Sequence, residues 1–233
     1  WRMLDAEGRV VMVSGAARGI GRAVVLQLLA SGFSVSAGVR DRRDLPPSNR
    51  LFTHRYDAED PASADAWADA TADRFGRIDA VVAAAGINPM ARLLDRDDTA
   101  LDALWAVNVK GPKHLVRAAW PHLVASGSGR VAILASLSGK RVANENMGYA
   151  ASKFAAVALA HAIRREGWEH GIRATAICPG FVATDMTAHV TSHPREQMTQ
   201  PEDLAVLIET VLRLPAHAVV AELLVNCRLE PTL

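Results

Sequence analysis

The chain has 233 residues, half of them hydrophobic, which suits one α/β domain (residues 1–233) with a sizeable buried core. Lys plus Arg is 26 and Asp plus Glu is 25, a formal net charge of +1, which argues against a nucleic-acid or anionic-membrane partner. The longest uncharged run, residues 23–39, is broken by Gln27, Ser31, Ser34 and Ser36 and is not a membrane span, and two cysteines, Cys178 and Cys227, make no disulfide framework.

In chain order, the first residues carry Asp5, Glu7 and Arg9 without a long apolar stretch, which predicts no secretory signal and a cytoplasmic protein. Residues 10–14 form an apolar run that stops at Gly15, and residues 20–30 follow with apolar positions at helical spacing. Residues 33–39 read as a second strand and 51–56 as a third. A helix over 64–75 ends at Gly76, and 80–85 is a fourth strand ending at Gly86. Residues 97–126 hold one or two helices, broken near Gly111-Pro112. A strand over 130–135, a long helix over 149–170, a strand over 173–177, a helix over 201–214 and a strand over 223–225 complete the chain. Strand alternating with helix predicts a parallel sheet covered on both faces. Such sheets bind ligands at the C-terminal ends of their strands, so the informative residues should follow strands.

Ser14-Gly15-Ala16-Ala17-Arg18-Gly19-Ile20-Gly21 joins the first strand to the first helix. Gly15 can make the turn, Gly19 and Gly21 admit a close backbone approach, and the helix N-terminus offers free N–H groups to a diphosphate. The spacing differs from the common dinucleotide fingerprint, and the plain alternative is a tight strand-to-helix turn. The second strand ends at Arg40-Asp41-Arg42-Arg43-Asp44. An arginine there suits a 2′-phosphate and a carboxylate suits a ribose hydroxyl. Arg40, assisted by Arg18, predicts NADP(H); Asp41 would instead mean NAD(H). Arg42 and Arg43 read as a solvated loop.

Tyr149-Ala150-Ala151-Ser152-Lys153 places a phenol and an ammonium on one helix face. A free tyrosine has a pKa of about 10, and a nearby ammonium favours its phenolate. A phenol so tuned can give or take the proton of an alcohol–carbonyl couple. Ser136, thirteen residues upstream and just after a strand, can hydrogen-bond a substrate oxygen beside it.

With these motifs in order, the chain resembles the classical short-chain dehydrogenase/reductase family from about Val10 to Val225. Gly15-x-x-x-Gly19-Ile20-Gly21 is similar to its cofactor loop, and Asp57-Ala58 to its adenine-binding pair. Asn108-Val109-Lys110-Gly111 is similar to its Asn motif, and Tyr149 to Lys153 to its Y-x-A-S-K. Ser136 has the spacing of its catalytic serine, which Ser138 fits less well. Pro179-Gly180-Phe181-Val182-Ala183-Thr184 resembles its P-G-x-V-x-T segment, where Val182 and Thr184 would meet the nicotinamide amide and the phosphates. The resemblance implies a Rossmann-like doubly wound sheet of seven strands in the order 3-2-1-4-5-6-7. It implies that Tyr149 is the acid/base, that Lys153 lowers its pKa and holds the nicotinamide ribose, and that Ser136 polarises the carbonyl. Asn108 would hold a water through backbone groups and complete a proton path. Ala85 and Gly86 would line the cofactor site. No metal is implied, and a homodimer or homotetramer is.

Three departures stand out. Ala83-Ala84-Ala85-Gly86 replaces an Asn-bearing segment, which predicts a small stability cost. Residues 185–200 make a short lid. The C-terminal Val225-Asn226-Cys227-Arg228-Leu229-Glu230 lacks the glycine pair often found there. Expected pocket residues are Ile87, Asn88, Leu137, Ser138, 142–148 and 181–186, mostly apolar, which favours a neutral carbonyl or alcohol. Candidates span carrier-bound 3-oxoacyl groups, sugars and polyols, steroids and small ketones. The rival readings are an NAD-dependent alcohol or polyol dehydrogenase, a cofactor-binding regulator without turnover, and a lyase-type relative; the last would lack the glycine loop and the lysine.

Overall fold

The computed structural model describes residues 3–41 and 45–230. The solvated loop expected at Arg42 and Arg43 lies outside the described residues. In chain order the elements are β1 (Val10–Ser14), α1 (Gly19–Ala30), β2 (Ser34–Val39), β3 (Leu51–Arg55), α2 (Pro61–Phe75) and β4 (Ala80–Ala83). They continue with α3 (Thr99–Trp105), α4 (Gly111–Ala125), β5 (Arg130–Leu134), α5 (Met147–Gly167), β6 (Arg173–Pro179), α6 (Pro201–Arg213) and β7 (Glu222–Val225). The strands form one sheet in the order β3-β2-β1-β4-β5-β6-β7, and every neighbouring pair is parallel. This is the doubly wound order expected.

The central strands are apolar throughout because both faces are covered. Successive side chains point to opposite faces, so each strand feeds two cores. Met12, Val81, Val131 and Ile133 pack with Trp67, Leu115 and Ala156 from α2, α4 and α5. Val11, Val13, Val82 and Ala132 pack with Val24, Leu28, Leu204 and Ile208 from α1 and α6. Helix ends carry local signals: Asp60 caps α2 by accepting from the Ala62 N–H, and Gly76 closes it in the left-handed region.

The expected break at Gly111-Pro112 does not occur. A π-helical stretch, Ala106–Lys110, carries α3 directly into α4. Its wider turn lets the Gly111 N–H reach the Ala106 carbonyl. Pro112 then sits in the first turn of α4, where a missing N–H costs little. Such π turns recur at functional sites, and this one carries Asn108. β6 also runs two residues further than expected, because Cys178 and Pro179 pair with Leu224 and Val225 of β7.

Candidate functional site

The glycine loop lies at the C-terminal end of β1. Gly15 has φ +66°, and a Cβ there would sit 2.9 Å from the Ala84 carbonyl carbon; at Gly21 a Cβ would sit 2.3 Å from the Gly15 carbonyl oxygen. Both positions therefore require glycine. Arg18 precedes α1 in an extended conformation, no side chain caps the helix, and its first turn holds no acidic residue. The free N–H groups and the positive end of the helix dipole face a cleft of about 290 Å³.

Gly15, Arg18, Gly19, Ile20 and Gly21 form one wall of that cleft. Arg40, Asp57 and Ala58 line one end, and Ala85, Gly86 and Thr184 the other. Asp41 lines it beside Arg40, so both cofactor-selecting candidates face the same space. Pro179, Gly180 and Val182 do not line it. β6 continues through Pro179 as part of the sheet, and Val182 is buried among the core residues that cover α6. The expectation that Leu137 lines a pocket also fails, since it is packed into the core beneath α5. Val142 and Met186 do lie at the exposed surface.

Asn108, Ser136, Tyr149 and Lys153 gather next to the Gly86 end of the cleft. A Cβ on Gly86 would be 3.4 Å from Asn108 Oδ1 and 3.7 Å from Lys153 Nζ. Lys153 Nζ donates to the Leu134 carbonyl at 2.7 Å and sits 5.7 Å from the centre of the Tyr149 ring. Ser136 begins the 3-10 turn Leu137–Gly139, and its Oγ accepts from the Ser138 N–H at 3.1 Å. The Ser136 hydroxyl donates to the Pro179 carbonyl at 3.5 Å, and it lies near enough to the Tyr149 phenol to pull its pKa down. Asn108 is fully engaged: its Nδ2 donates to the Ile87 carbonyl at 3.0 Å and to Ser152 Oγ at 3.1 Å, while its Oδ1 accepts from the Ile87 N–H at 3.0 Å.

Burial sets the charges. It pushes the Tyr149 phenol above its ordinary value, against an opposing pull from Ser136. It pulls the Lys153 ammonium down to about 8. Desolvation is the leading cause of the Tyr149 shift, ahead of the pull from Ser136.

Three supporting residues make contacts that the motifs do not announce. Ser14 Oγ accepts from the Ala84 and Ala85 N–H groups, each at 3.1 Å, so a hydroxyl on β1 braces the alanine segment. Asn146 caps α5 through the Tyr149 N–H and also accepts from Ala91 N, fixing the start of the helix that carries Tyr149. Its position three residues before Tyr149 was the available signal. Asp185 pairs with Arg18 at 3.3 Å, a contact between residues 167 positions apart with no local signal. No helix among the described residues is long and apolar enough to cross a membrane.

This fold and site define a doubly wound α/β protein with a cleft at the C-terminal ends of its strands. The chain matches the short chain dehydrogenase family over residues 9–195 and belongs to it. It is 36% identical over 236 residues to an agropine synthesis reductase of Rhizobium rhizogenes, covering 99% of this chain and 55% of that protein. The chain therefore spans about half the length of the agropine synthesis reductases it matches. An uncharacterized oxidoreductase of Staphylococcus haemolyticus is 31% identical over 231 residues, 96% of this chain and 99% of the relative. Among solved structures, a short chain dehydrogenase from Burkholderia cenocepacia in complex with NADP superposes with a TM-score of 0.84 at 26% identity, covering 96% of this chain and 98% of that one. Levodione reductase superposes with a TM-score of 0.85 at 26% identity, covering 94% and 96%.

Proposed function

We propose that this oxidoreductase prefers NADP(H) and moves a hydride between the nicotinamide and a carbonyl or secondary alcohol, with Ser136, Tyr149, Lys153 and Asn108 as its working groups. The observation that carries this is the convergence of the Ser136 hydroxyl, the Tyr149 phenol and the Lys153 ammonium where the cleft ends at Gly86. The cleft fits a dinucleotide: the uncapped start of α1 suits a diphosphate, and Gly15 and Gly21 keep side chains out of its path.

A nicotinamide nucleotide held there supplies or accepts the hydride. Arg18 and Arg40 would hold a 2′-phosphate, Asp57 and Ala58 would lie at the adenine, and Lys153 would hold the nicotinamide ribose. Ser136 orients the carbonyl oxygen. Tyr149 donates the proton to the carbonyl oxygen in reduction and takes it back in oxidation. Asn108 has no side-chain group to spare, so its part in a proton path falls to the backbone of its π turn. The reductase names of the relatives and the NADP complex of one structural neighbour support this reading. Residues 1–233 act as one domain in a cytoplasmic homodimer or homotetramer. A second reading, NAD(H) use, rests on Asp41 lining the same end of the cleft as Arg40.

The test is NADPH and NADH oxidation with a panel of neutral ketones. Tyr149→Phe should lower kcat by about 10²–10⁴-fold while NADPH still binds. Near-parental kcat in that variant would remove the assigned acid, and a higher kcat/KM with NADH would transfer the cofactor assignment to Asp41.

A further inference from the structure

We propose that Asp185 is an internal competitor for Arg18 and thereby sets how strongly the cleft favours a phosphorylated nucleotide. The inference rests on the reading of Arg18 as a 2′-phosphate contact. Arg18 Nη1 lies 3.3 Å from Asp185 Oδ2, and both residues line the cleft. The pair bridges the glycine loop and the segment after β6, and a second contact runs beside it: a Cβ on Gly19 would meet Thr184 Cγ2 at 3.2 Å.

The backbone that carries Asp185 is held in place by its own segment. Asp185 opens the short 3-10 turn Asp185–Thr187. The Thr187 hydroxyl donates to the Val182 and Thr184 carbonyls, and Arg195 Nη1 donates to the Thr184 carbonyl at 3.0 Å. Below it, the Ala183 N–H reaches the Thr199 carbonyl at 3.0 Å and the Thr199 N–H reaches the Phe181 carbonyl at 3.1 Å. The exchange therefore falls to the side chains, not to a movement of the segment. A phosphate monoester carries about −1.5 to −2 charge near neutral pH, against −1 for the carboxylate, so it wins the guanidinium. It wins against a standing partner, and that competition weakens every phosphorylated nucleotide more than its unphosphorylated counterpart. The pair is well exposed, with 63% and 73% of the side-chain surface open, so the penalty is that of a surface ion pair.

The experiment uses fragments that differ only in the phosphate at issue. Calorimetric dissociation constants are measured for 2′,5′-ADP and 5′-AMP on the parent, Asp185→Asn, Asp185→Glu, Arg18→Ala and the Arg18→Ala/Asp185→Asn double variant. Asp185→Asn should raise the preference for 2′,5′-ADP over 5′-AMP by about 1.5- to 5-fold, the equilibrium weight of an exposed ion pair. Asp185→Glu, which keeps the charge, should stay near the parent. The gain should shrink as salt rises from about 0.01 to 1 M, where the Debye length falls from about 30 to 3 Å. With Arg18 removed, Asp185→Asn should leave the preference unchanged. An equal gain without Arg18 would show simple repulsion of the ligand by Asp185 and overturn the competition. If Arg18→Ala lowers the preference but Asp185→Asn does not raise it, the competition alone is wrong. If Arg18→Ala leaves the preference intact, the 2′-phosphate contact is wrong and the competition falls with it.

Discussion

Replacing Ser14 by alanine removes one hydroxyl and leaves two backbone donors without their acceptor. Ser14 Oγ accepts from Ala84 N and Ala85 N at 3.1 Å each, and Ser14 is 2% exposed. An intramolecular hydrogen bond contributes about 0.5–1.5 kcal/mol net, so losing both costs about 1–3 kcal/mol. In a chain of this length each kcal/mol moves Tm by about 2–4 °C, so Ser14→Ala should melt roughly 2–12 °C lower. The same bonds hold the Ala84–Ala85 backbone under the Gly15 turn, where a Cβ would already be 2.9 Å from Ala84. NADPH binding should therefore weaken together with stability, and Ser14→Thr, which keeps the hydroxyl, should retain most of both. Calorimetric melting and nucleotide titration of the two variants provide the measurement. A Tm for Ser14→Ala within about 1 °C of the parent would refute the bracing role.

The remaining predictions concern ionisation and the two serines. The chain has two tyrosines, and burial raises the pKa of both Tyr56 and Tyr149. The folded protein should therefore show little tyrosinate absorbance at pH 10, where free tyrosine is about half ionised; half-ionisation of one phenol below that pH, with the fold intact, would contradict the burial argument. Lys153 is held at about 8 in the folded protein against 10.5 when unfolded. Below pH 8 both states carry the proton and the buried charge costs its full amount; between 8 and 10.5 the folded state has released it, so stability rises with pH. Lys153→Met should thus be more stable than the parent at pH 7, with the gap closing toward pH 9.5, and a gap that widens over that window would reverse the sign. The Ser136 hydroxyl pulls on the Tyr149 pKa, whereas Ser138 reaches Ser136 only through its backbone N–H. Ser136→Ala should lower kcat far more than Ser138→Ala, and the opposite ranking on one ketone would exchange their roles.

Much of this protein is written in local pattern. Apolar runs such as 10–14 and 130–134 become strands buried on both faces, and their alternation with amphipathic helices leaves a parallel sheet as the economical way to cover them. Tyr149 and Lys153 share a helix face by spacing alone. The glycines at 15 and 21 announce a turn and a close approach that the packing then requires. These features are legible because each depends on residues a few positions apart.

The tertiary structure decided the rest. Ser14 braces residues 70 and 71 positions away, and Arg18 meets Asp185 167 positions away. Which side chains face each other across a parallel sheet depends on register and crossover, and neither leaves a mark in a local window. β7 extended β6 through Pro179, whose carbonyl accepts from the Ser136 hydroxyl, and the Val182 side chain turned into the core. The helix break expected at Gly111-Pro112 vanished because a π turn accommodated the proline. The balance of charge between Tyr149 and Lys153 is the sharpest case. Their spacing brings an ammonium near a phenol and suggests a lowered phenol pKa, but folding removes water from both, and burial is the leading cause of the rise at Tyr149 and the fall at Lys153.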